Sequence, residues 1–141
     1  MKVADILLSK GSNVYCVTED ITVYDALKIM GEKNVGALLV MEEHNLQGII
    51  SERDYARKIV LKGKSSQETT VKEIMTKELI TVLPEDDIEK CMSLMSGRHI
   101  RHLPVVKDKK LMGIVSITDV VTAIIELQKN TISHLQNYIS Q

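Results

Sequence analysis

"GIISERD" at residues 48–54 returns as "GIVSITD" at residues 113–119, 65 positions further along the chain. A motif repeated at a distance raises the question of whether its surroundings are repeated too, and here they are. Residues 17–60 align with 82–125 without a gap. Val17 meets Val82, Met30 meets Met95, Leu38 meets Leu103, Val40 meets Val105, Gly48 meets Gly113, Ser51 meets Ser116, Asp54 meets Asp119 and Ile59 meets Ile124. Upstream, "VADIL" at 3–7 corresponds to "VKEIM" at 71–75, with three extra residues in the first copy's loop "SKGSN". The chain is an internal duplication.

Each copy parses the same way. Val23, Ala26, Leu27 and Met30 fall at i, i+3, i+4 and i+7, as do Ile88, Cys91, Met92 and Met95, which predicts an amphipathic helix in each. Thr22 and Asp87 stand where an N-cap belongs. "ALLVM" (37–41) and "HLPVV" (102–106) turn through polar "EEHN" and "KDKK" and return as "LQGII" and "LMGIV", the pattern of a hairpin. A strand at "NVYCV" precedes the first helix, and a second helix is expected from Asp54 to about Lys62 and from Asp119 to about Gln128. The expected fold class is mixed α/β (α+β), two tandem β-α-β-β-α repeats: 1–62, a linker 63–70, 71–128, and a C-terminal helix 129–141. Neither copy alone buries both faces of a three-stranded sheet, so the two are expected to pack through their sheets. In the terminal helix, Ile132, Leu135 and Ile139 recur at 3 and 4 spacing, suited either to covering the module or to contacting a subunit.

Composition narrows the function. With 44% hydrophobic and 26% charged residues the chain is an ordinary globular one, and its net charge of -1 gives no field to draw it onto nucleic acid or an anionic membrane. Trp and Phe are absent, and Tyr stands only at 15, 24, 55 and 138, so the aromatic platforms that single-stranded nucleic acid stacks on are missing. "MKVADILLSKGSN" meets Asp5 and Ser9 too early for a signal-peptide core, and no run approaches the roughly 18 apolar residues of a membrane span. A cytoplasmic location is the expectation. Cys16 and Cys91 form no disulfide or zinc pattern. Cys91 belongs to an apolar helix face and reads as a buried thiol, while Cys16 could be buried or exposed. His44, His99, His102 and His134 show no metal-ligand spacing. "KGKSS" lacks the full phosphate-loop pattern and reads as linker.

Ser-x-x-Asp at a strand-to-helix junction carries two meanings. It is close to a capping box, in which Ser caps the N3 amide and the acid reaches back to the cap. The same geometry offers a hydroxyl, helix-terminal amides and a carboxylate that accepts hydrogen bonds from a vicinal diol such as ribose, a set suited to a nucleotide. Gly48 and Gly113 would let a ligand or another strand come close to the backbone. In the second copy "RHIRHLPVV" adds Arg98, His99, Arg101 and His102, side chains that bind phosphate. The first copy has Lys33 in that stretch, and Arg53, Arg57 and Lys58 around Asp54. An adenine base would rest on aliphatic side chains, with Ile80, Val82, Ile100, Val105 and Ile114 as candidates that equally suit a core. No nucleophile, base and orienting acid stand together in a readable motif.

The doubled order of a "TV-x-x-AL-x-x-M" helix, a strand such as "RHLPVV" and then "GIVSITD" resembles the tandem cystathionine β-synthase (CBS) domain pair, over Val3 to about Gln128. The resemblance implies two repeats with pseudo-twofold symmetry, clefts between them for adenine-containing ligands, and a homodimer. It implies that Asp54 and Asp119 hold ribose hydroxyls, that Ser51, Ser116 and Thr118 serve ribose or phosphate, and that Arg101 and His102 contact phosphate. Gly36 and Ala37 replace that basic pair in the first copy, so that route is missing there, although Arg53 adjoins Asp54. "SERDYARKIVLKGKSS" with "ISHLQNYI" resembles small CBS-pair proteins, some associated with AMP and NAD. The function implied is a non-catalytic sensor that binds AMP, ADP, ATP or NAD(H) between its repeats and regulates an enzyme or other protein partner of unknown identity, with no nucleic acid and no membrane involved. Two other readings stay open: an interaction module with vestigial clefts that docks a partner through Leu135 and Ile139, and a small enzyme acting on nucleotides.

Overall fold

The computed structural model describes residues 1–140, in the order α1 (Val3–Lys10), β1 (Cys16–Val17), α2 (Val23–Lys33), β2 (Ala37–Glu42), β3 (Asn45–Ser51), α3 (Glu52–Tyr55), α4 (Val71–Ile74), α5 (Ile88–Arg98), β4 (His102–Lys107), β5 (Lys110–Ser116) and α6 (Ile117–Ser140). These form two compact units. One is continuous, Asn13–Ile80. The other is split, joining residues 1–12 to the stretch from Thr81 onward.

The split has a repeated physical cause. In the split unit the Val3 and Ala4 amides donate to the Asp86 and Pro84 carbonyls (both 2.8 Å), and the Ile88 amide donates to Met1 (3.2 Å). In the continuous unit Val71 and Lys72 donate to Ile21 and Glu19, and Val23 to Thr69, all at 2.9 Å. Each copy's leading segment is thus fastened by the same three bonds to the entry of an amphipathic helix, and in both units that helix belongs to the other copy. Val3 and Ile6, or Val71 and Ile74, are driven into the core beside it.

The predicted elements form where their patterns place them. Thr22 accepts the Asp25 amide (3.1 Å) and Asp87 the Lys90 amide (2.9 Å), capping α2 and α5. Both helices end on a left-handed residue, Asn34 and His99, each at φ 55°. The hairpins β2-β3 and β4-β5 shift register at matching places, between Val40 and Met41 and between Val105 and Val106. Val23, Ala26, Met30, Leu38, Val40, Ile50 and Ile59 fill the continuous core, and Ile88, Cys91, Met95, Leu103, Val105, Val115 and Val120 are buried in the split unit. Cys91 is buried as expected, and Cys16 is exposed.

Four expectations need correction. The second copy's first strand is a single parallel bridge, Val82 to Val105, because Leu83 gives its amide to the Asp86 carboxylate (2.8 Å) and Pro84 has none to give. The helix after Ser51 is α3 followed by a π-helical turn, Ala56–Val60. There Lys58 is tied to Asp54 (3.0 Å) and to the Ile74 carbonyl (2.7 Å) while Ile59 is buried, and the turn widens to satisfy both. Arg98 and His99 lie at the end of α5, outside the strand, which begins at His102. Finally, the terminal segment continues the second repeat's helix as its spacing suggests, in one 24-residue α6, but every residue from Gln128 to Ser140 is exposed, so the covering role open to it is not met among the described residues.

The motif glycines are explained by the leading segments. A Cβ at Gly48 would lie 2.8 Å from the Thr76 carbonyl oxygen and 3.1 Å from Met75 Sδ, whereas one at Gly113 would meet only the movable tip of Leu7. Gly48→Ala is therefore expected to destabilise the fold by about 1–3 kcal/mol and Gly113→Ala by clearly less. Urea denaturation of the two variants checks this, and equal losses would contradict it.

Candidate functional site

Ser116 closes β5 and caps α6, and Asp119 sits three residues on. The Ser116 amide donates to Asp119 Oδ2 (2.8 Å) and the Asp119 amide donates to Ser116 Oγ (3.2 Å), a complete capping box. Lys10, from the last turn of α1, donates from Nζ to the same Oδ2 (2.7 Å) and to the Ile114 carbonyl (3.0 Å). All donors recorded for this carboxylate fall on Oδ2, leaving Oδ1 without a hydrogen-bond partner among the described residues. Burial works to raise the Asp119 carboxyl. The Lys10 hydrogen bond, the Ser116 amide, the Lys10 charge and the Ser116 hydroxyl outweigh it, and the group is held below the usual carboxylate range.

His102 stands directly across the β4-β5 ladder from Ser116. Its pKa is lowered, first by burial, then by the Lys10 and Arg101 charges, with Asp119 pulling the other way. Arg101 is exposed, and its carbonyl accepts the Ile117 amide (2.9 Å). Thr118 is exposed on the first turn. Ser116, Thr118, Asp119, Arg101 and His102 are therefore gathered at one corner of the split unit, where Ile100 leads into β4. Ile80, offered as a base contact, belongs to the continuous unit. Lys10 is the member that reading the sequence missed, since nothing in "LLSKGSN" links it to a motif 109 residues away.

The matching corner of the continuous unit is built alike but closed. Ser51 and Asp54 form the same box, with the Ser51 amide 2.9 Å and the Ser51 hydroxyl 3.1 Å from Asp54 Oδ2. Here Oδ1 is taken as well, by the Thr76 hydroxyl (3.2 Å) and Lys58 Nζ (3.0 Å), and Asp54 is 8% exposed. Ala37 faces Ser51 across the ladder and Gly36 accepts the Glu52 amide, the places His102 and Arg101 hold in the other unit. Arg53 is half-buried and engaged in contacts of its own. In both corners two first-turn amides are already committed, Glu52 and Asp54 or Ile117 and Asp119, so neither helix start offers a full set of free donors.

The CBS domain profile matches residues 3–61 and again 71–126. The chain belongs to the CBS-domain family. CBS domain-containing protein CBSX3, mitochondrial, of Arabidopsis thaliana is 47% identical, over 97% of this chain and 71% of its own length. A protein with CBS domains from Burkholderia ambifaria MC40-6 has a solved structure that matches with a TM-score of 0.87 at 46% identity, over 89% of this chain and 95% of that one. The CBS domain pair of protein MJ0100, solved with 5′-methylthioadenosine and S-adenosyl-L-methionine, matches with a TM-score of 0.78 at 29% identity, over 88% of this chain and 95% of that one. Among the described residues no helix is long and apolar enough to cross a membrane, and no group of three or more His, Cys, Asp or Glu is placed to hold a metal ion.

The depressed His102 pKa fixes the sign of a pH effect. The folded state prefers the neutral ring, so its contribution is complete above the ordinary value of about 6.5 and is lost as pH falls from there towards the lowered pKa. Between about pH 7.5 and about pH 5.5, wild-type protein is expected to lose more stability than His102→Gln. Parallel urea titrations check it, and identical losses would contradict it.

Proposed function

We propose that the chain is a non-catalytic sensor module whose corner at Ser116 and Asp119 binds an adenine nucleotide. One observation carries the reading: Asp119 is kept ionised with Oδ2 held from both sides while Oδ1 has no hydrogen-bond partner among the described residues. An oriented carboxylate oxygen with no donor of its own suits a sugar hydroxyl. Lys10, Arg101 and His102 border it on the side of β4 and α1, and an anionic group needs such donors. Asp119 and Ser116 serve the ribose, Thr118 and Arg101 the phosphate, and Ile100 gives the base an aliphatic rest. Asp54 and Ser51, whose oxygens are satisfied internally, contribute as caps, and Arg53 and Ile80 have no assigned role at this corner. The adenosine-type ligands of the MJ0100 pair support the ligand class. AMP, ADP, ATP and NAD(H) share the ribose and phosphate this corner addresses. Occupancy would regulate a partner by favouring one of two states of the module.

The reading is tested by titrating wild type, Asp119→Asn and Asp54→Asn with AMP and with adenosine, followed by calorimetry and thermal shift. Losing a charged hydrogen bond to the ribose weakens AMP by about tenfold or more in Asp119→Asn, while Asp54→Asn binds as wild type does. AMP binds more tightly than adenosine, and Lys10→Met narrows that gap. No stabilisation by any adenine nucleotide at about millimolar concentration, or equal losses in the two Asp variants, would overturn the assignment.

A further inference from the structure

His102 is the one member of the Asp119 corner whose charge is open to change near neutral pH. Its ring is half-buried at the start of β4, directly across the ladder from Ser116, and its nitrogens carry no hydrogen bond among the described residues. Three charges bear on it from three places: Lys10 in the last turn of α1, Arg101 on the residue that leads into β4, and Asp119 in the first turn of α6. β5 adds the uncharged Ser116, and α5, the other element beside β4, ends in Arg98 and His99. Lys10 and Asp119 are joined at 2.7 Å and largely offset each other. Arg101 remains as a net positive charge, and with burial it keeps the ring of the unliganded chain neutral at about pH 7.

A phosphate monoester reverses that balance. Its second pKa is about 6, so above about pH 7 it carries close to two negative charges. Set among Lys10, Arg101 and His102, it outweighs the single net cation already there, and its oxygens give the ring nitrogens the acceptor they lack. Resting on the nucleotide reading of this corner, we propose that His102 takes up a proton as the phosphate binds and becomes the third cation that holds it, so that the module reads nucleotide and pH together. Linkage fixes the direction: binding that adds a proton strengthens as pH falls, and the gain ends once the free ring is itself protonated. Adenosine, without the phosphate, brings no charge to draw the proton. The matching corner has no such device, since Ala37 stands in the place of His102 and Gly36 in that of Arg101. His44, His99 and His134 are all exposed, and His102 is the only histidine on the ladder that leads to a capping box.

The test is calorimetry of AMP and of adenosine on the full chain between about pH 7 and about pH 8.5, where AMP stays mainly dianionic, in two buffers of different ionisation enthalpy. AMP binding is expected to weaken by about threefold or more across that window and to take up roughly half a proton at its lower end, while adenosine does neither. His102→Gln is expected to bind AMP with a flat pH profile and no proton uptake. In wild type, followed by NMR so that no substitution is needed, AMP is expected to move the titration of the His102 ring upward by about one pH unit and to leave those of His44 and His134 in place. AMP binding that is independent of pH, proton uptake that persists in His102→Gln, an unmoved His102 titration, or the same uptake with adenosine would overturn the proposal and leave the nucleotide reading standing. Absence of AMP binding at every pH would remove that reading and the proposal with it.

Discussion

Asp119 is pinned between its own main chain and a lysine from the other end of the sequence, and the character of the split unit's corner follows from that arrangement. The Ser116 amide orients the carboxylate, Lys10 neutralises it, and together they hold it ionised against the cost of burial. The capping geometry and the ligand reading are therefore compatible. The box occupies Oδ2, and the second oxygen decides whether the site is open. At Asp54 a threonine and a lysine close that second oxygen, so two copies of one motif present different surroundings to their carboxylates.

Lys10 reaches Asp119 because leading segments are exchanged between copies. Three matched backbone bonds per unit fix that exchange, and the motif glycines clear room for the incoming segment. The exchange thus gathers residues 10, 101, 102 and 116–119 at one corner, a set that no stretch of contiguous sequence contains. The basic pair Arg101 and His102 then gives this corner a chemistry that Gly36 and Ala37 cannot supply to its counterpart.

Periodicity revealed the helices, their caps and the hairpins, because Thr22, Asp87 and the apolar runs act locally. It also placed Ser116 beside Asp119 and His102 near them, since capping and strand pairing are short-range. Features set by distant partners were not legible. The loss of the second copy's first strand depends on the Asp86 carboxylate capturing the Leu83 amide, the π turn on Lys58 reaching across to Ile74, and the role of Lys10 on where α1 docks. Arg98 and His99 misled because a run of basic residues looks continuous in sequence, although a left-handed cap at His99 separates it into a helix end and a strand start. The family resemblance added the ribose and phosphate assignments, which spacing alone left balanced against simple capping.

The most direct measurement is a high-resolution structure of the chain crystallised with AMP. Ribose hydroxyls are expected within hydrogen-bond distance of Asp119 Oδ1, with the Ser116 amide still on Oδ2 and Lys10 or Arg101 on the phosphate. A nucleotide bound elsewhere, with Asp119 joined only to Ser116 and Lys10, would contradict that expectation.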